Sequence, residues 1–257
     1  MRRVAIVTAA AQGIGLASAR QIAPRADLVL ADVQGAMLEA RAEELRAAGA
    51  KVLTFVGDVQ DPRAVAEITS LAKDKLGRLD ILVNVVGGSG ASNVQQIDEI
   101  SPELWDEIIA LNLRTVFLTC RAAVPIMRAQ SYGRIVNTSS TLARGRSGPV
   151  GTAGARLAYA AAKSGILGFT AQLAKDVAQF GITANAVMPW LTLSDAGSKV
   201  RERYEVMPAE EKARLLARAP MNRPAEAHEI GAAVAFLASE EASYVSGVGL
   251  PVDGAFL

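Results

Sequence analysis

Short apolar runs alternate with longer amphipathic stretches along this chain. The short runs are rich in β-branched residues and several lack any polar position, which is typical of strands covered on both faces of a sheet. They predict strands over residues 3–8, 27–32, 51–56, 80–85, 133–139, 182–188 and 247–253. The longer stretches repeat apolar residues at helical spacing and predict helices over residues 13–24, 35–48, 61–76, 101–130, 157–179 and 226–238.

Repeated strand-helix-strand units with right-handed crossovers predict an α/β fold, a single-domain Rossmann-like doubly wound parallel sheet with helices on both faces. We expect residues 1–257 to form one domain, because no Ser- or Pro-rich linker divides them. Residues 191–224 interrupt the alternation, since they are rich in charge and carry apolar residues at roughly helical spacing. We expect there an inserted helical pair over the carboxyl edge of the sheet, either a surface excursion or a substrate lid.

Composition excludes several classes of protein. Of the residues 51% are hydrophobic and only 5% aromatic, so Ala, Val, Leu and Ile are expected to build the core. A net charge of +1 gives no reason to expect nucleic acid or a membrane surface as a partner. No uninterrupted apolar run approaches the roughly 20 residues that span a bilayer. The single cysteine, Cys120, cannot form an internal disulfide and is expected in the core, so we predict a cytoplasmic protein.

The stretch "TAAAQGIG", Thr8–Gly15, lies between the first predicted strand and the first predicted helix. A glycine-rich turn at this place lets backbone N–H groups and a helix N-terminus contact a pyrophosphate. Ala9 stands where such loops usually begin with glycine. If the turn required a positive φ at that position, alanine would cost about 1–2 kcal/mol. We expect instead that the position requires only a small side chain.

Three further segments at the ends of predicted strands are expected to lie beside this loop. Asp32 ends the second strand, where a carboxylate can accept hydrogen bonds from the adenosine ribose. The segments "GDV" (57–59) and "NVVGG" (84–88) end the third and fourth strands. Because ligands bind at the carboxyl ends of strands in such sheets, these segments are predicted to meet at one site.

At this point the chain resembles the short-chain dehydrogenase/reductase family along its whole length. "TAAAQGIG" matches that family's Thr-Gly-x-x-x-Gly-x-Gly loop except at Ala9, and "NVVG" (84–87) matches Asn-Asn-Ala-Gly at its first and last positions. "LNL" with Asn112, "NTSS" ending in Ser140, and "YAAAK" from Tyr159 to Lys163 complete the pattern. Each motif alone is only moderately specific, whereas their combination in this order is highly specific.

The resemblance implies a catalytic set of Asn112, Ser140, Tyr159 and Lys163. Tyr159 would exchange a proton with the substrate oxygen. Lys163, on the same helix face, would lower the pKa of Tyr159 and bind the nicotinamide ribose. Ser140, in preference to the adjacent Ser139, would hold the substrate oxygen. Asn112 would hold a water of a proton relay, or it would only kink a buried helix.

The resemblance also implies a nicotinamide cofactor, and Asp32 favours NAD because a carboxylate repels the 2′-phosphate of NADP. No basic residue occupies Ala10, Ala11 or Gln12 to attract that phosphate. The residues implied to contact the cofactor are Gln12, Gly13, Ile14, Gly15, Asp32, Asp58, Val59, Asn84, Gly87, Tyr159, Lys163, Pro189, Thr192 and Ser194.

Two departures from the family pattern border the expected substrate site. The loop over residues 143–157 is longer than usual, and it is either solvated or a charged wall of the substrate site. Its arginines are Arg144, Arg146 and Arg156. Trp190 follows Pro189 where the family has glycine, so it could pack on the cofactor, narrow the pocket or turn into the lid. The expected apolar wall consists of Val86, Leu142, Leu157, Trp190 and Leu191.

These features favour an NAD-dependent dehydrogenase that acts on an uncharged, apolar, cyclic secondary alcohol or its ketone. The alternatives are an NADPH-dependent 3-oxoacyl thioester reductase and a non-catalytic NAD-binding regulator. No metal site is expected in a chain with one cysteine and one histidine, His228, which we predict to be solvated. The expected partner is a small-molecule substrate, and the resemblance implies a homotetramer.

Overall fold

A parallel sheet forms the centre of the molecule in the computed structural model, which describes residues 2–90, 94, 96–145 and 156–257. The strands are β1 (Arg3–Thr8), β2 (Ala26–Asp32), β3 (Val52–Val56), β4 (Ile81–Asn84), β5 (Gly133–Thr138), β6 (Ile182–Pro189), β7 (Thr192–Leu193), β8 (Ala225–Glu226) and β9 (Gly249–Val252). Seven of them pair in the order β3-β2-β1-β4-β5-β6-β9, and every pair is parallel. The predicted doubly wound sheet is therefore confirmed.

Helices cover both faces of this sheet. They are α1 (Gly13–Ile22), α2 (Gly35–Ala47), α3 (Pro62–Ser70), α4 (Pro102–Ile109), α5 (Thr115–Ala129), α6 (Arg156–Val177), α7 (Lys199–Glu205), α8 (Ala209–Leu216) and α9 (Ala227–Leu237). The start of α3 follows the predicted signal, since the Asp61 carboxylate accepts a hydrogen bond from Arg63 N (2.8 Å) and Pro62 is the first helical residue.

The core has one layer on each face of the sheet. On one face, Leu38 and Ile230 of α2 and α9 pack against Leu30 of β2. On the other, side chains of α3, α5 and α6 pack against β1, β4 and β5. Cys120 belongs to the second layer and is 1% exposed, as predicted. Burial of each leucine or isoleucine of this kind stabilises the fold by about 1.5–3 kcal/mol.

The helix predicted over residues 101–130 is two helices, α4 and α5, joined by the π-helical turn Ala110–Arg114. The Asn112 side-chain amide donates to Ile108 O (2.9 Å), and the Thr115 hydroxyl donates to Leu111 O (2.8 Å). These side chains satisfy carbonyl groups that the widened turn leaves without regular helical partners. Such turns are frequent at functional sites.

The combined stretch Pro102–Ala129 is long and apolar enough to cross a membrane by length and composition alone, with 28 residues and a mean hydropathy of 1.3 in its most apolar window. Half of that window is buried inside the molecule. Within it, α5 packs against α3, β4 and β5. We interpret the stretch as a core helix of the sheet's second layer.

The segment 191–224 forms an excursion from the central sheet whose two ends lie side by side. Its two helices, α7 and α8, agree with the predicted helical pair, and they lie in the chain between β7 and β8. These two short strands pair with each other in parallel, with Thr192 opposite Ala225. Arg201 closes the base of the excursion, because its guanidinium donates to Ser194 O (2.6 Å) and to the Glu226 carboxylate (2.6 Å).

Candidate active site

The loop between β1 and α1 is built from backbone constraints. Ala9 has φ +50° and Gly13 has φ +60°. A Cβ added at Gly15 would lie 2.0 Å from Ala9 O, so the first helical turn passes directly over the loop. The expectation that position 9 needs only a small side chain is wrong, because the turn places it in the left-handed region. Alanine there carries a strain of about 1–2 kcal/mol.

Asp32 lies beside this loop at the end of β2. Its two carboxylate oxygens accept hydrogen bonds from Ala11 N (3.0 Å) and Gln34 N (3.0 Å), and the residue is 9% exposed. Two backbone donors therefore fix the carboxylate, while each oxygen keeps a second lone pair for a ribose hydroxyl. Ala10 and Ala11 are fully buried, which leaves no basic side chain at this point.

The end of β3 offers one exposed and one buried residue. The Asp58 carboxylate is exposed and accepts a hydrogen bond from Gln60 N (2.9 Å). Val59 is 3% exposed and packs with Val65 and Leu118. A ligand at this strand end could therefore contact the Asp58 side chain directly, and Val59 mainly through its backbone.

Asn84, at the end of β4, is turned into the sheet. Its side-chain amide donates to Asn137 Oδ1 (2.9 Å) and to Cys120 Sγ (3.6 Å), and Asn137 Nδ2 donates in turn to the Thr170 hydroxyl (2.9 Å). Asn84 is 4% exposed. The Asn84 side chain thus connects β4 to β5 and, through Asn137, to α6, and the implied cofactor contact of Asn84 stays a prediction.

Gly87 and Gly88 bring the turn after β4 against two implied catalytic residues. The Asn112 side chain accepts a hydrogen bond from Gly88 N (3.1 Å) and donates to Gly88 O (2.8 Å). A Cβ added at Gly87 would lie 2.5 Å from Asn112 Oδ1 and 2.9 Å from Lys163 Nζ. Asn112 and Lys163 therefore approach Gly87 together, and only glycine fits between them.

Ser139 and Ser140 divide two tasks at the end of β5. The Ser139 hydroxyl donates to Lys163 O (2.7 Å) inside the molecule. Ser140 Oγ accepts a hydrogen bond from Leu142 N (3.1 Å), and its hydroxyl interacts with the Tyr159 phenol, whose pKa it lowers against the effect of burial. Ser140 is therefore the serine beside the tyrosine, as the resemblance implies.

Tyr159 and Lys163 lie on one face of α6, with Lys163 Nζ 5.5 Å from the centroid of the Tyr159 ring. The ammonium donates to Thr138 O (2.8 Å) and is 2% exposed. Burial raises the pKa of Tyr159 to about 12, opposed by the Ser140 hydrogen bond, and burial lowers the pKa of Lys163 to about 7. The expected lowering of the Tyr159 pKa by Lys163 is wrong for this state, because burial of the phenol disfavours its charged form.

The segment after β6 lies on the glycine-rich loop. Pro189 is buried at the end of β6, and the Thr192 hydroxyl donates to Trp190 O (3.1 Å). A Cβ added at Gly13 would lie 2.8 Å from Ser194 Oγ, so this serine closes over the start of α1. Gln12 and Ile14, on either side of Gly13, are partly buried.

Sequence reasoning missed Asp195, the residue after the implied contact Ser194. Its carboxylate accepts a hydrogen bond from Gly13 N (2.7 Å) and lies 3.9 Å from the Arg20 guanidinium. The only signal in the sequence is an acidic residue directly after the implied Thr192–Ser194 contacts. Nothing in its spacing indicates that it reaches a helix 182 positions away in the chain.

Trp190, which we expected in the pocket wall, contacts the C-terminal segment. Its ring stacks on Phe256 with centroids 5.2 Å apart. Trp190 and Leu191 line a cavity of about 370 Å³ that extends to the C-terminal segment, and its lining includes neither Ser140 nor Tyr159.

The structure gives the burial or the contacts of the other residues expected to line the pocket. Leu142 is half-buried, and Leu157 is 42% exposed. Val86 packs with the Val59 cluster, and the ring of Tyr159 packs with Leu104 and Ile108. Of the long loop, Arg144 and Arg156 are described, whereas Arg146 and the rest of residues 146–155 lie outside the described residues.

Two smaller expectations concern metals and His228. Among the described residues no group of three or more His, Cys, Asp or Glu side chains could hold a metal ion. His228 is exposed in the first turn of α9, as predicted.

The arrangement fits a nicotinamide dinucleotide at three points. The α1 N-terminus already binds an anionic group, the Asp195 carboxylate, through a backbone N–H. Asp32 presents a fixed carboxylate at the end of the adjacent strand. Lys163 is a buried ammonium whose one hydrogen bond to a described residue goes to Thr138 O, so donors remain for a ribose hydroxyl.

Comparison with known proteins gives similarities over the full length of the chain. A family model described as enoyl-(acyl carrier protein) reductase matches residues 8–256. A D-beta-hydroxybutyrate dehydrogenase of Cupriavidus necator is 35% identical over 99% of this chain and 98% of its own. A 3-oxoacyl-(acyl-carrier-protein) reductase of Haemophilus influenzae is 34% identical over 98% of this chain and 97% of its own.

A solved structure gives the same result for the fold. The structure of YwfH, an NADPH-dependent reductase involved in bacilysin biosynthesis, matches with a TM-score of 0.90 at 25% identity. The match covers 100% of this chain and 99% of that one. These similarities therefore concern the complete fold and not one motif.

Proposed function

We propose that this chain, which belongs to the short-chain dehydrogenase/reductase family of nicotinamide-dependent oxidoreductases, interconverts a secondary alcohol and its ketone with NAD. The convergence of Ser140, Tyr159 and Lys163 is the observation that carries the proposal. These side chains come from the end of β5 and from one face of α6, and the hydroxyl of Ser140 is hydrogen-bonded to Tyr159.

When bound, a nicotinamide ring accepts the hydride from the alcohol or supplies it to the ketone. Asp32 would hold the adenosine ribose, and the N–H groups at Gly13–Gly15 would hold the diphosphate. Lys163 would donate to the nicotinamide ribose, and the backbone around Thr192 and Ser194 would hold the carboxamide.

Tyr159 moves the proton. During ketone reduction its phenol donates a proton to the substrate oxygen, and during alcohol oxidation its phenolate accepts one. Ser140 donates a hydrogen bond to the same oxygen and orients it beside the tyrosine. Asn112 holds the turn at Gly88 in place, so that the π-helical turn can support a water between its backbone and Lys163.

The protonation states favour reduction at neutral pH. With a pKa of about 12, Tyr159 is a phenol at pH 7 and is ready to donate. Oxidation requires the phenolate, which forms only as the pH rises or as bound ligands give Lys163 more partners. We therefore expect oxidation to be the more strongly pH-dependent direction.

Asp32 supports NAD over NADP. Its oxygens are fixed by two backbone N–H groups, and a 2′-phosphate placed against them would meet a carboxylate that cannot turn away. The adjacent Val33 is 63% exposed and brings no positive charge.

The substrate that we propose is uncharged, apolar and cyclic. Leu142 and Leu157 lie two positions from Ser140 and Tyr159 in the chain, and burial of an apolar ring against such side chains would gain about 25 cal/mol per Å². A charged substrate group buried without a partner would instead cost several kcal/mol, about as much as breaking a buried ion pair costs. Trp190 stacks on Phe256 and is left out of this proposed wall. The 191–224 excursion is proposed as a lid because Ser194 and Asp195 lie at the loop before α1.

A second candidate is the NADPH-dependent reduction of a 3-oxoacyl thioester. The 34% identical 3-oxoacyl-(acyl-carrier-protein) reductase and the NADPH-dependent structural relative favour it, while Asp32 opposes it. A non-catalytic cofactor-binding regulator is less well supported, because Ser140, Tyr159 and Lys163 are all present and lie close together.

A homotetramer in the cytoplasm completes the proposal. Partly exposed aromatic side chains on α4 and α5, Trp105 and Phe117, offer one apolar face for helix packing between subunits. Phe236 on α9 and Tyr244 beyond it offer a second face. Sedimentation equilibrium of the purified chain checks the assembly.

The decisive experiment is a screen of secondary alcohols and ketones with NAD(H) and NADP(H), read by absorbance at the nicotinamide band. We expect turnover with NAD(H) and apolar cyclic substrates. Turnover confined to NADPH and 3-oxoacyl thioesters would select the second candidate. Cofactor binding without turnover on any substrate would select the regulator.

A further inference from the structure

Asp195 occupies the positive end of α1. Its Oδ2 accepts a hydrogen bond from Gly13 N (2.7 Å), and its Oδ1 lies 3.9 Å from the Arg20 guanidinium. The helix has no acidic residue in its first turn, and the side chain of its N-cap, Gln12, makes no capping hydrogen bond. Asp195, delivered from a distant segment, therefore supplies the negative charge that a helix N-terminus attracts.

The segment around Asp195 connects this contact to the 191–224 excursion. The side chain of Ser194 crowds Gly13 from the same direction, and its carbonyl oxygen accepts a hydrogen bond from Arg201 of α7 (2.6 Å). Ser198, which caps α7, donates its backbone N–H to Asp195 O (3.2 Å). Movement of Asp195 away from Gly13 would thus move the start of α7 as well.

We infer that Asp195 is an internal competitor of the cofactor diphosphate and that cofactor binding displaces it, together with the segment that carries it. The inference rests on the proposed function, in which the N–H groups at Gly13–Gly15 hold the diphosphate. A carboxylate on Gly13 N and a diphosphate on the same N-terminus exclude each other by volume and repel by charge. Asp195 then tunes cofactor affinity and couples it to the position of the lid.

The first test is calorimetric titration of Asp195→Ala with three ligands. We expect NAD and ADP, which contain a diphosphate, to bind about three- to tenfold more tightly than to the unmodified protein. This range corresponds to the usual strength of a charge at a helix N-terminus. Adenosine, which lacks the diphosphate, should bind equally well to both proteins.

Two further variants serve as controls for this titration. Asp195→Asn keeps an acceptor oxygen but removes the charge, and it should give a smaller gain in affinity. Glu241→Ala removes a carboxylate paired with Arg25 (3.4 Å) away from the α1 N-terminus, and it should leave all three affinities unchanged. Equal or weaker binding of NAD and ADP to Asp195→Ala would overturn the inference. If the unmodified protein bound neither NAD nor NADP, the proposed function would fail, and the inference with it.

The second test follows the segment itself by hydrogen exchange. ADP should accelerate exchange of the Ser198 amide in the unmodified protein, because that amide is bonded to Asp195 O in the described state. In Asp195→Ala the segment lacks the side-chain contact with Gly13, so the same amide should exchange fast with or without ADP. Binding of ADP with unchanged exchange at residues 194–202 would contradict the coupling between Asp195 and the lid.

Discussion

Two corners of the same sheet edge are built in different ways. The catalytic corner, Ser140, Tyr159 and Lys163 with Asn112, consists of side chains that are fixed by burial and hydrogen bonds. The proposed cofactor corner, the loop from Ala9 to Gly15, consists mainly of backbone, with Ala9 and Gly13 at positive φ, and it is closed by a carboxylate from a distant segment.

This difference separates the expected effects of mutation. At the proposed catalytic corner a side chain would be the reacting group, so its removal should eliminate a step of the reaction. At the proposed cofactor corner the backbone would bind the ligand, and the side chains would adjust strain and charge around it. Substitutions there should change affinity or stability by modest factors, and some should improve them.

The largest effect is expected for Tyr159→Phe. Loss of the phenolic proton should lower kcat by about 10²–10⁴-fold, the usual contribution of a general acid or base, while NADH affinity stays within about twofold. Steady-state kinetics and fluorescence titration of NADH measure the two quantities. Tyr244→Phe, at a fully exposed tyrosine, is the matched control and should be silent. A Tyr159→Phe enzyme with most of its activity would remove the distinction between the corners.

The pH dependence of the two reaction directions is the next largest effect. Because burial raises the pKa of Tyr159 to about 12, the phenolate fraction increases with pH throughout the accessible range. Between pH 8 and 10, kcat for alcohol oxidation should rise by up to about tenfold per pH unit, while ketone reduction should not rise. Between about pH 6 and 8 the rise should be shallower, because Lys163, with a pKa of about 7, loses its positive charge as the pH increases through that range, and the charge favours the phenolate. An oxidation rate independent of pH from 8 to 10 would show that proton transfer does not depend on Tyr159.

Gly87→Ala and Gly88→Ala form a matched pair. A Cβ at Gly87 would lie 2.5 Å from Asn112 Oδ1 and 2.9 Å from Lys163 Nζ, whereas one at Gly88 would meet only Leu111 Cδ2 at 3.8 Å. Gly87→Ala should therefore lower kcat/KM by roughly 100-fold, as misplacement of about 1 Å does, and cost about 1–3 kcal/mol of stability. Gly88→Ala should retain activity within about threefold. Similar losses in both variants would mean that the loop as a whole is intolerant, and Gly87 would have no special place.

Asp32→Asn tests the charge at the cofactor corner. The amide keeps an oxygen for one backbone donor but removes the repulsion of a 2′-phosphate, so the preference for NAD over NADP should fall by about tenfold, or about 1.4 kcal/mol. Asp27→Asn, at the opposite end of the same strand and paired with Arg2, is the control and should leave the preference unchanged. An unmodified enzyme that used both cofactors equally would already contradict the assignment of Asp32.

Ala9→Gly should give the smallest effect, and in the favourable direction. Relief of the positive φ should raise the free energy of unfolding by about 0.5–1 kcal/mol after the greater freedom of glycine in the unfolded chain is deducted. Ala10→Gly, at a buried neighbour without positive φ, should lower it. Denaturant unfolding measures both, and a loss of stability in Ala9→Gly would show that the methyl group's packing outweighs the backbone strain.

Much of this molecule was predictable because its information is local or periodic. The alternation of apolar runs and amphipathic stretches determined the elements of the seven-stranded sheet, and Asp61-Pro62 determined the start of α3. The motifs around Gly13, Ser140 and Tyr159 predicted which residues meet at one edge, since parallel strands place their carboxyl ends together.

Contacts between distant segments were decided only by the tertiary structure. The left-handed conformation of Ala9 follows from α1 passing over the loop at Gly15, and Trp190 turns to Phe256 because the C-terminal segment packs beside it. Desolvation set the pKa values of Tyr159 and Lys163 against the direction that their spacing on a helix predicts. Asp195 lies in the excursion between the paired strands β7 and β8, and its contact with Gly13 follows from no periodic pattern in the sequence. Sequence patterns report on neighbours along an element, whereas burial and charge at the site depend on which elements the fold brings together.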